Sequence, residues 1–307
     1  MGSPLDSAQF VRLLDKRLRD VSENKYKELP SRIPDFYNVI TSDAAWEEFY
    51  SVGAVPDIPE LNGKLSYLGI APGFHTKIEH KEYAAGIQSE RKLIDDKKYA
   101  VLDNRASGLM EAAVRTREKL GVRPFAYAFS TAYDFMESEE GVALCSDSHT
   151  TKAEVSTSSG FDNAGTSALN KTNLAATRIL MRKFRNDIGE RIDIGDDLGV
   201  VVPDALADTL AEIIGTPKGY NVAAETVNVD YGRYKAMPHM RLDDYDANNW
   251  FMVWISQMKK DLIWMNRIMP ESKNTVDFET FALKQAVYFR NSYGWIDWRW
   301  VFGNAVT

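Results

Sequence analysis

The chain has 307 residues, of which 44% are hydrophobic and 26% charged, enough to fold as one large domain or two smaller ones. Its 37 lysines and arginines against 44 aspartates and glutamates give a net charge of -7, which argues against a protein that wraps nucleic acid phosphates. A single cysteine, Cys145, excludes an intrachain disulfide or a thiolate metal cage, and no apolar run approaches the roughly 20 residues of a membrane helix.

The first segment predicts an N-terminal arm built on a helix. Apolar residues recur at helical spacing behind a helix-cap candidate, Ser7, and they are Phe10, Leu13, Leu14, Leu18 and Val21. A polar connector follows, so we expect this arm to have little core of its own.

Residues 52–88 predict a long extended hairpin. The stretch VGAVPDIPELNG at 52–63 carries two prolines and two glycines, which disfavour regular structure. Further on, the side chains alternate between two faces as in a strand, with Phe74, Thr76, Ile78 and His80 on one face and His75, Lys77 and Glu79 on the polar one. We expect the turn of this hairpin near Ala71-Pro72-Gly73.

Residues 89–121 contain no proline and predict one long amphipathic helix that begins near Ser89 and ends at Gly121. Its apolar stripe consists of Leu93 or Ile94, Val101, Leu102, Leu109, Ala113, Thr116 and Leu120. Its charged residues alternate in sign and predict a solvated face, part of which is free for partner contacts.

Downstream, a second helix is predicted within TNLAATRILMRKFRNDIG at 172–189. A buried strand at 200–202 then precedes Pro203 in a first helical turn, a helix to Ile214 and Gly215 as its C-cap, which together predict an α+β unit. Three further segments are strand-like, namely VNVDYGRYKAM at 227–237, WFMVWISQM at 250–258 and DLIWMNRIM at 261–269.

The C-terminal stretch AVYFRNSYGWIDWRWVFGN at 286–304 permits two interpretations. Aromatic rings interleaved with arginine can stack on single-stranded nucleic acid, or they can form a half-buried strand pair. Beyond a turn at 291–294, one strand face would consist of Ile296, Trp298, Trp300 and Phe302 and be wholly apolar. Because such a face would be insoluble if exposed, we predict that Trp298 and Trp300 are buried and that Asp297 pairs with Arg290 or Arg299.

No catalytic or metal-binding constellation is apparent. The four histidines lack a second ligand at metal-site spacing, and neither phosphate-binding glycine motif occurs. The adjacent Asp147-Ser148-His149 fits a hydrogen-bonded turn better than a nucleophile with its base. We expect neither a cofactor nor a metal, while a soluble hydrolase that uses His149 or His239 stays an alternative.

The order of these segments resembles the major capsid protein of tailed bacteriophages, whose fold is shared with encapsulin shells. The resemblance is carried by GVVVPDALADTLAEII at 199–214, FSTAYDFMESEEGVALCSDSHT at 129–150 and RNSYGWIDWRWVFG at 290–303. Glu140-Gly141 stands where Asp-Gly is usual in that family, and this leaves the turn intact.

The resemblance implies an α+β capsid fold with an N-terminal arm at 1–53, an extended loop at 54–88, a peripheral domain with a long spine helix at 89–195 and 275–307, and an axial domain at 196–274. The expected inter-subunit residues of the loop are Tyr67, Phe74, His75, Lys77 and Glu79. The expected core residues are Trp298, Trp300 and Phe302 in the peripheral domain and Val201, Pro203 and Leu206 in the axial strand-helix unit.

The implied function is an icosahedral head shell, built in the bacterial cytoplasm and found in the virion, that encloses double-stranded DNA without sequence-specific binding. The partners implied are copies of the chain itself in hexamers and pentamers, a portal and a decoration or cement protein, with no membrane. Because the arm begins at once, a separate scaffolding protein is also expected. An encapsulin-like nanocompartment shell is the alternative within the fold.

Overall fold

A computed structural model describes residues 7–153, 155–215, 228–277 and 279–306, with residues 7–13 described as helical backbone only. Within these residues the chain is a mixed α+β protein whose strands form sheets of four, five and three strands. The helices are α1 Ser7–Glu28, α2 Ile33–Phe36, α3 Lys92–Asp95, α4 Tyr99–Ala126, α5 Lys171–Met181, α6 Ala207–Ile214 and α7 Ile255–Asp261.

The four-stranded sheet has the order β1-β10-β11-β4. Its strands are β1 Asn38–Thr41, β4 Lys81–Ser89, β10 Leu262–Val276 and β11 Leu283–Trp295. β1 pairs with β10 in parallel, whereas the β10–β11 and β11–β4 pairs are antiparallel. The long β10–β11 hairpin is therefore the centre of this sheet.

The predicted long helix is confirmed in substance and wrong at both ends. A short helix, α3, is separated from α4 at Lys97, whose φ of 57 is left-handed, so the chain cannot run through as one helix. α4 also passes Gly121 and ends at Ala126. Gly121 serves close packing instead of termination, because a Cβ there would lie 3.3 Å from Ile33 Cγ1, and the Tyr37 hydroxyl donates to the Gly121 carbonyl at 2.6 Å.

The N-terminal arm has more packing within its own chain than its sequence suggests. Leu14 and Leu18 of α1 are buried against Leu102 and Ala106 of α4 and against Leu283 of β11. A bidentate pair between Arg17 and Asp103 adds an exposed contact between the two helices. The arm therefore recovers part of its ordering entropy without a neighbouring subunit, contrary to our expectation. The side chains of Phe10 and Leu13 lie outside the described residues.

The five-stranded sheet has the order β6-β12-β9-β7-β8. Its strands are β6 Ala164–Gly165, β7 Leu198–Val202, β8 Lys235–Pro238, β9 Trp250–Trp254 and β12 Val301–Asn304. The strand predicted at 200–202, the helix to Ile214 and its C-cap Gly215 are confirmed, and the strand begins earlier, at Leu198. Pro203 is extended and precedes a 3-10 turn at Asp204–Leu206, so it does not lie inside the first helical turn as predicted. β7 lies between β8 and β9, and every one of its residues is buried.

Two strand predictions near this sheet fail in part. Within 250–258 only Trp250–Trp254 is a strand, because the chain turns into α7 at Ile255. Within 227–237 the strand comprises only the last part, from Lys235, and residue 227 lies outside the described residues.

The C-terminal region contains no turn at 291–294, where β11 continues to Trp295. Gly294 is required by close approach, since a Cβ there would lie 2.9 Å from Ile78 Cδ1 and 3.0 Å from Met136 Sδ. The strand resumes only at Val301, as β12, so the predicted alternation from 295 to 302 does not hold. Trp298 and Trp300 are nevertheless both buried, which contradicts base stacking by these rings.

β12 belongs to the same sheet as β7, although the predicted boundary at residue 275 assigns them to different domains. Phe302 pairs with Met252 of β9, and the Trp300 ring meets Phe125 of α4 edge-on at 5.9 Å between centroids. The division into domains stays a prediction. The sheet topology adds that the C-terminal aromatics connect α4 to the five-stranded sheet.

We expect Trp300→Ala to lower the free energy of unfolding of the isolated subunit by about 3–5 kcal/mol, because the ring is completely buried. Trp46→Ala is the matched control, since that ring is 50% exposed and its loss should cost less than about 1 kcal/mol. Urea unfolding monitored by circular dichroism measures both values. Equal losses for the two variants would contradict the core assignment of Trp300.

Candidate assembly surfaces

The three-stranded sheet carries the most exposed part of the chain. It consists of β2 Trp46–Val52, β3 Pro72–Glu79 and β5 Glu137–Ser138, with β3 in the middle. Residues 53–71 connect β2 to β3 without strand or helix, and we call them the extended segment. The Gly53 N–H donates to the Ala71 carbonyl at 3.0 Å and closes its base. The predicted hairpin is thus present, but the turn expected at 71–73 is wrong because Pro72 begins β3.

Apolar side chains of the extended segment are left in solvent. Tyr67 is 95% exposed, Ile58 89% and Leu65 73%, and none of them belongs to the described hydrophobic core clusters. The other exposed apolar residues here are Val55, Leu61, Leu68 and Ile70. An apolar stretch of this length gains nothing by being ordered in water, so it is suited to contact with another molecule.

The remaining predicted loop residues lie at the base of the segment and have partners in their own chain. His75 Nδ1 lies 2.8 Å from Glu139 Oε2, and Lys77 Nζ lies 3.6 Å from Glu137 Oε2. Lys152 Nζ lies over the Phe74 ring at 5.4 Å, and Glu79 is exposed opposite Trp46. Of the five residues, only Tyr67 belongs to the extended segment, and an inter-subunit role for any of them stays a prediction.

Glu139 fixes the base of the segment to the loop that follows β5. A hydrogen bond from Lys152 Nζ at 2.6 Å, together with the His75 N–H at 3.0 Å and the His75 ring, lowers the pKa of Glu139 to about 2. The carboxylate is therefore ionised at any physiological pH and holds Lys152 and His75 in place.

His80, between β3 and β4, joins the segment-bearing sheet to the four-stranded sheet. Its Nε2 lies 2.9 Å from Ser42 Oγ and its Nδ1 2.9 Å from Ser292 Oγ. Ser42 donates its own proton to Glu47 at 2.6 Å, so Nε2–H must donate to Ser42, and Nδ1 accepts from Ser292. Burial, reinforced by the charge of Arg290, lowers the pKa of His80 and favours this neutral tautomer.

Sequence reasoning placed His80 on the buried strand face with Thr76 and Ile78, and all three are buried. It did not identify the serine partners, which lie 38 and 212 positions away in sequence. Strand periodicity reveals which side chain faces inward, but it does not reveal which distant residue meets it.

The surroundings of His149 do not form a hydrolytic site. Nδ1 lies 3.0 Å from Glu140 Oε1 and Nε2 3.1 Å from Asn163 Oδ1, while the ring stacks on Trp298 at 4.1 Å. The Ser148 hydroxyl is bonded to Ser146 at 2.9 Å. Both ring nitrogens are thus occupied by structural partners, and the neighbouring hydroxyl is directed elsewhere.

His239, the other histidine considered for hydrolysis, is also a packing residue. Its Nδ1 accepts from the Arg241 N–H at 3.3 Å, and its ring lies 5.5 Å from that of Phe36. Burial lowers the pKa of His239 to about 4, so the ring is neutral at physiological pH. Across the described ranges, no group of three His, Cys, Asp or Glu residues could hold a metal ion, and no helix is long and apolar enough to cross a membrane.

The strand-helix unit predicted for an axial domain is buried in the core along β7 and is followed by exposed apolar residues. Val201 is fully buried, Pro203 ends β7, and Leu206 packs against the main core. The Asp243 carboxylate accepts the N–H groups of residues 204 and 205 at 3.0 and 3.1 Å, which caps the helical turn. Exposed apolar side chains in the residues that follow this unit are Val229, Tyr231, Met240 and Tyr245.

A buried acid–base cluster lies where α7 meets the C-terminal loop. Arg299 donates to Asp297 at 2.8 Å and to Asp187 at 2.9 Å, which confirms the predicted pairing of Asp297 with Arg299. Asp261 is only 8% exposed and accepts from Gln257 Nε2 at 2.8 Å. Burial and then the nearby charge of Asp297 raise the pKa of Asp261 from 3.8 to about 7.

This shift predicts how the stability of the subunit depends on pH. Since the pKa of Asp261 is higher in the folded than in the unfolded chain, the folded state holds an extra proton between about pH 4 and pH 7, and stability falls as pH rises through that range. Asp261→Asn should raise the free energy of unfolding near pH 8 by up to about 4 kcal/mol and leave it unchanged near pH 4.

Urea unfolding at the two pH values measures the effect, with Asp57→Asn, an exposed carboxylate, as the control that should change neither. The same gain at both pH values would show that the effect comes from packing and not from the proton.

Comparisons with known proteins agree with this architecture. A family model described as "Phage capsid protein" matches residues 75–304. Among solved structures, the mature capsid of bacteriophage PhiM1 matches with a TM-score of 0.60 and 12% identity over 91% of this chain and 88% of that chain. The structure of Mycobacterium phage Patience matches with a TM-score of 0.58 and 10% identity, over 99% of this chain and 90% of that chain. The procapsid of bacteriophage JBD30 matches with a TM-score of 0.53 and 13% identity, over 97% of this chain and 75% of that chain. A search of curated proteins gave no match.

Proposed function

The chain belongs to the phage capsid protein family, and from this premise we propose how it builds a shell. It is a major capsid protein that assembles with copies of itself into the capsid of a virion. The observation that carries the mechanism is the extended segment 53–71, whose apolar residues are not covered by any described part of the subunit. Each segment lies on a neighbouring subunit and buries those side chains there.

The assembly is multivalent. Each subunit places its own extended segment on one neighbour and receives the segment of another neighbour. Many such contacts, each of modest strength, together hold a closed shell. The exposed apolar residues after the axial unit, among them Tyr231 and Met240, supply contacts around the axes of hexamers and pentamers. The β2–β3 base, held by Glu139 and His80, sets the direction in which the segment leaves the body.

Further partners follow from this role. A separate scaffolding protein directs closure, a portal occupies one vertex, and a decoration or cement protein binds the outer surface. The subunit has no catalytic turnover, because the described histidines have structural partners. Double-stranded DNA is held by confinement, since the net charge of -7 opposes phosphate binding by the chain as a whole. An encapsulin-like shell is not favoured, because the matching family is that of phage capsid proteins.

Removal of the extended segment should separate folding from assembly. We expect replacement of residues 55–69 by a short Gly-Ser linker to leave the far-ultraviolet circular dichroism and the cooperative unfolding of the subunit intact, because Gly53 and Ala71 still close the base. No closed shells should appear in micrographs or sedimentation profiles when the variant is coexpressed with the other head proteins of its phage.

A triple variant of the full-length segment, Ile58→Ser, Leu61→Ser and Leu65→Ser, tests whether apolar contact by these side chains is what shell formation requires. The variant that combines Asp57→Asn with Lys64→Gln is its matched polar control.

Deletion of residues 64–80 should instead unfold the subunit, because it removes the completely buried Ile78. Normal shells from the linker variant would refute the assignment of the segment to the interface.

The purified subunit should not retard double-stranded DNA at physiological salt. Non-specific binders show dissociation constants of about 10⁻⁴–10⁻⁶ M through a basic surface, and this chain carries more acidic than basic residues. A gel-shift titration at two salt concentrations is the measurement, with a basic DNA-binding protein as the positive control. Salt-sensitive retardation within that range would overturn confinement as the way in which the genome is held.

A further inference from the structure

The extended segment contains Asn62-Gly63, the only Asn-Gly dipeptide in the sequence. Both residues are exposed and lie outside helix and strand. Gly63 has a φ of 80, and a Cβ built on it would meet no other atom within 4 Å. The Gly63 N–H donates no hydrogen bond to any described residue. The amide nitrogen of Gly63 is therefore accessible to the side chain that precedes it.

We propose that Asn62 is a site of spontaneous deamidation in the free subunit and that assembly protects it. The Gly63 nitrogen attacks Cγ of Asn62, a new N–C bond closes a succinimide ring, and the side-chain nitrogen leaves as ammonia with the proton that Gly63 loses. Solvent water then opens the ring at either carbonyl. The products are aspartate, or isoaspartate with the main chain rerouted through Cγ.

Glycine is what makes this position reactive, because the side chain of any other residue would crowd the attacking nitrogen. Four other asparagines of the described residues are protected by burial or by a hydrogen bond. Asn163, Asn291 and Asn304 are buried at 0 to 2% exposure. Asn170 is the N-cap of α5, where its side-chain oxygen accepts from the Asn173 N–H at 2.8 Å, and it precedes Lys171. Reaction should therefore be concentrated at Asn62.

The modification changes the surface on which shell formation depends, and this step rests on the proposed function. It introduces a negative charge between Leu61 and Leu65, both at least 70% exposed in the subunit and buried in the proposed interface. Burial of an unpaired charge opposes association. Free subunits thus lose assembly competence with age, whereas subunits already in shells keep Asn62 covered and ordered.

The experiment is to incubate free subunits and preformed shells side by side at mildly alkaline pH and to measure the products at residue 62 by peptide mapping. Deamidation replaces NH₂ by OH, and isoaspartate is distinguished by its chromatographic position and by enzymatic methylation. Asn62→Gln keeps the amide and should give no product, Gly63→Ala should slow the reaction severalfold, and a peptide of residues 58–67 gives the unstructured rate. Assembly of Asn62→Asp is compared with that of Asn62→Gln.

We expect Asn62 to deamidate in the free subunit at a rate close to that in the peptide, and at least several-fold more slowly in shells. Assembly should be impaired for Asn62→Asp and normal for Asn62→Gln. Absence of product in the free subunit while the peptide reacts would overturn the modification site. Equal rates in subunit and shell would leave the site in place but overturn its protection by assembly, and with it the proposed interface. Normal assembly of Asn62→Asp would overturn the loss of competence.

Discussion

The antiparallel pairing of β10 with β11 is the constraint on which the rest of the subunit depends. β1 extends this hairpin on one edge and β4 on the other, and both α1 and α4 pack against it. Its inner end brings Gly294 against Ile78, so that the segment-bearing sheet can approach the body. Trp264 and Tyr293, paired across the ladder, stack at 5.5 Å and rigidify that end.

Elements whose signals are local could be predicted from the sequence. The strand at 200–202 and the helix to Ile214 were correctly predicted, because an apolar run and a C-cap glycine are signals that act within a few residues of one another. Gly121 and Gly294 were misinterpreted for the opposite reason. Both permit contact with residues far away in sequence, and sequence spacing alone cannot distinguish that role from a helix end or a turn.

The same distinction separates the parts of the candidate surface. The prolines and glycines at 52–63 indicated a break in regular structure, and Tyr67 was the one residue of the extended segment expected at an interface. The turn expected at 71–73 was wrong, because the irregular segment continues up to Pro72. The hydrogen bonds that anchor the base could not be foreseen, because His80, Ser42 and Ser292 meet only after the four strands β1, β10, β11 and β4 have paired. Likewise, the packing of α1 on α4 depends on where the long helix lies in the fold.

The subunit combines a core that is buried within its own chain with a segment whose apolar side chains are exposed, and a shell subunit needs both. The subunit must fold before it assembles, so its core cannot depend on contacts that exist only in the shell. Ile78, at the base, is completely buried within its own chain, whereas Tyr67, in the segment, is almost completely exposed. The boundary between these conditions falls where Gly53 bonds to Ala71. Apolar surface on the outer side of that bond does not stabilise the subunit fold. The free energy gained by burying it contributes only when subunits associate.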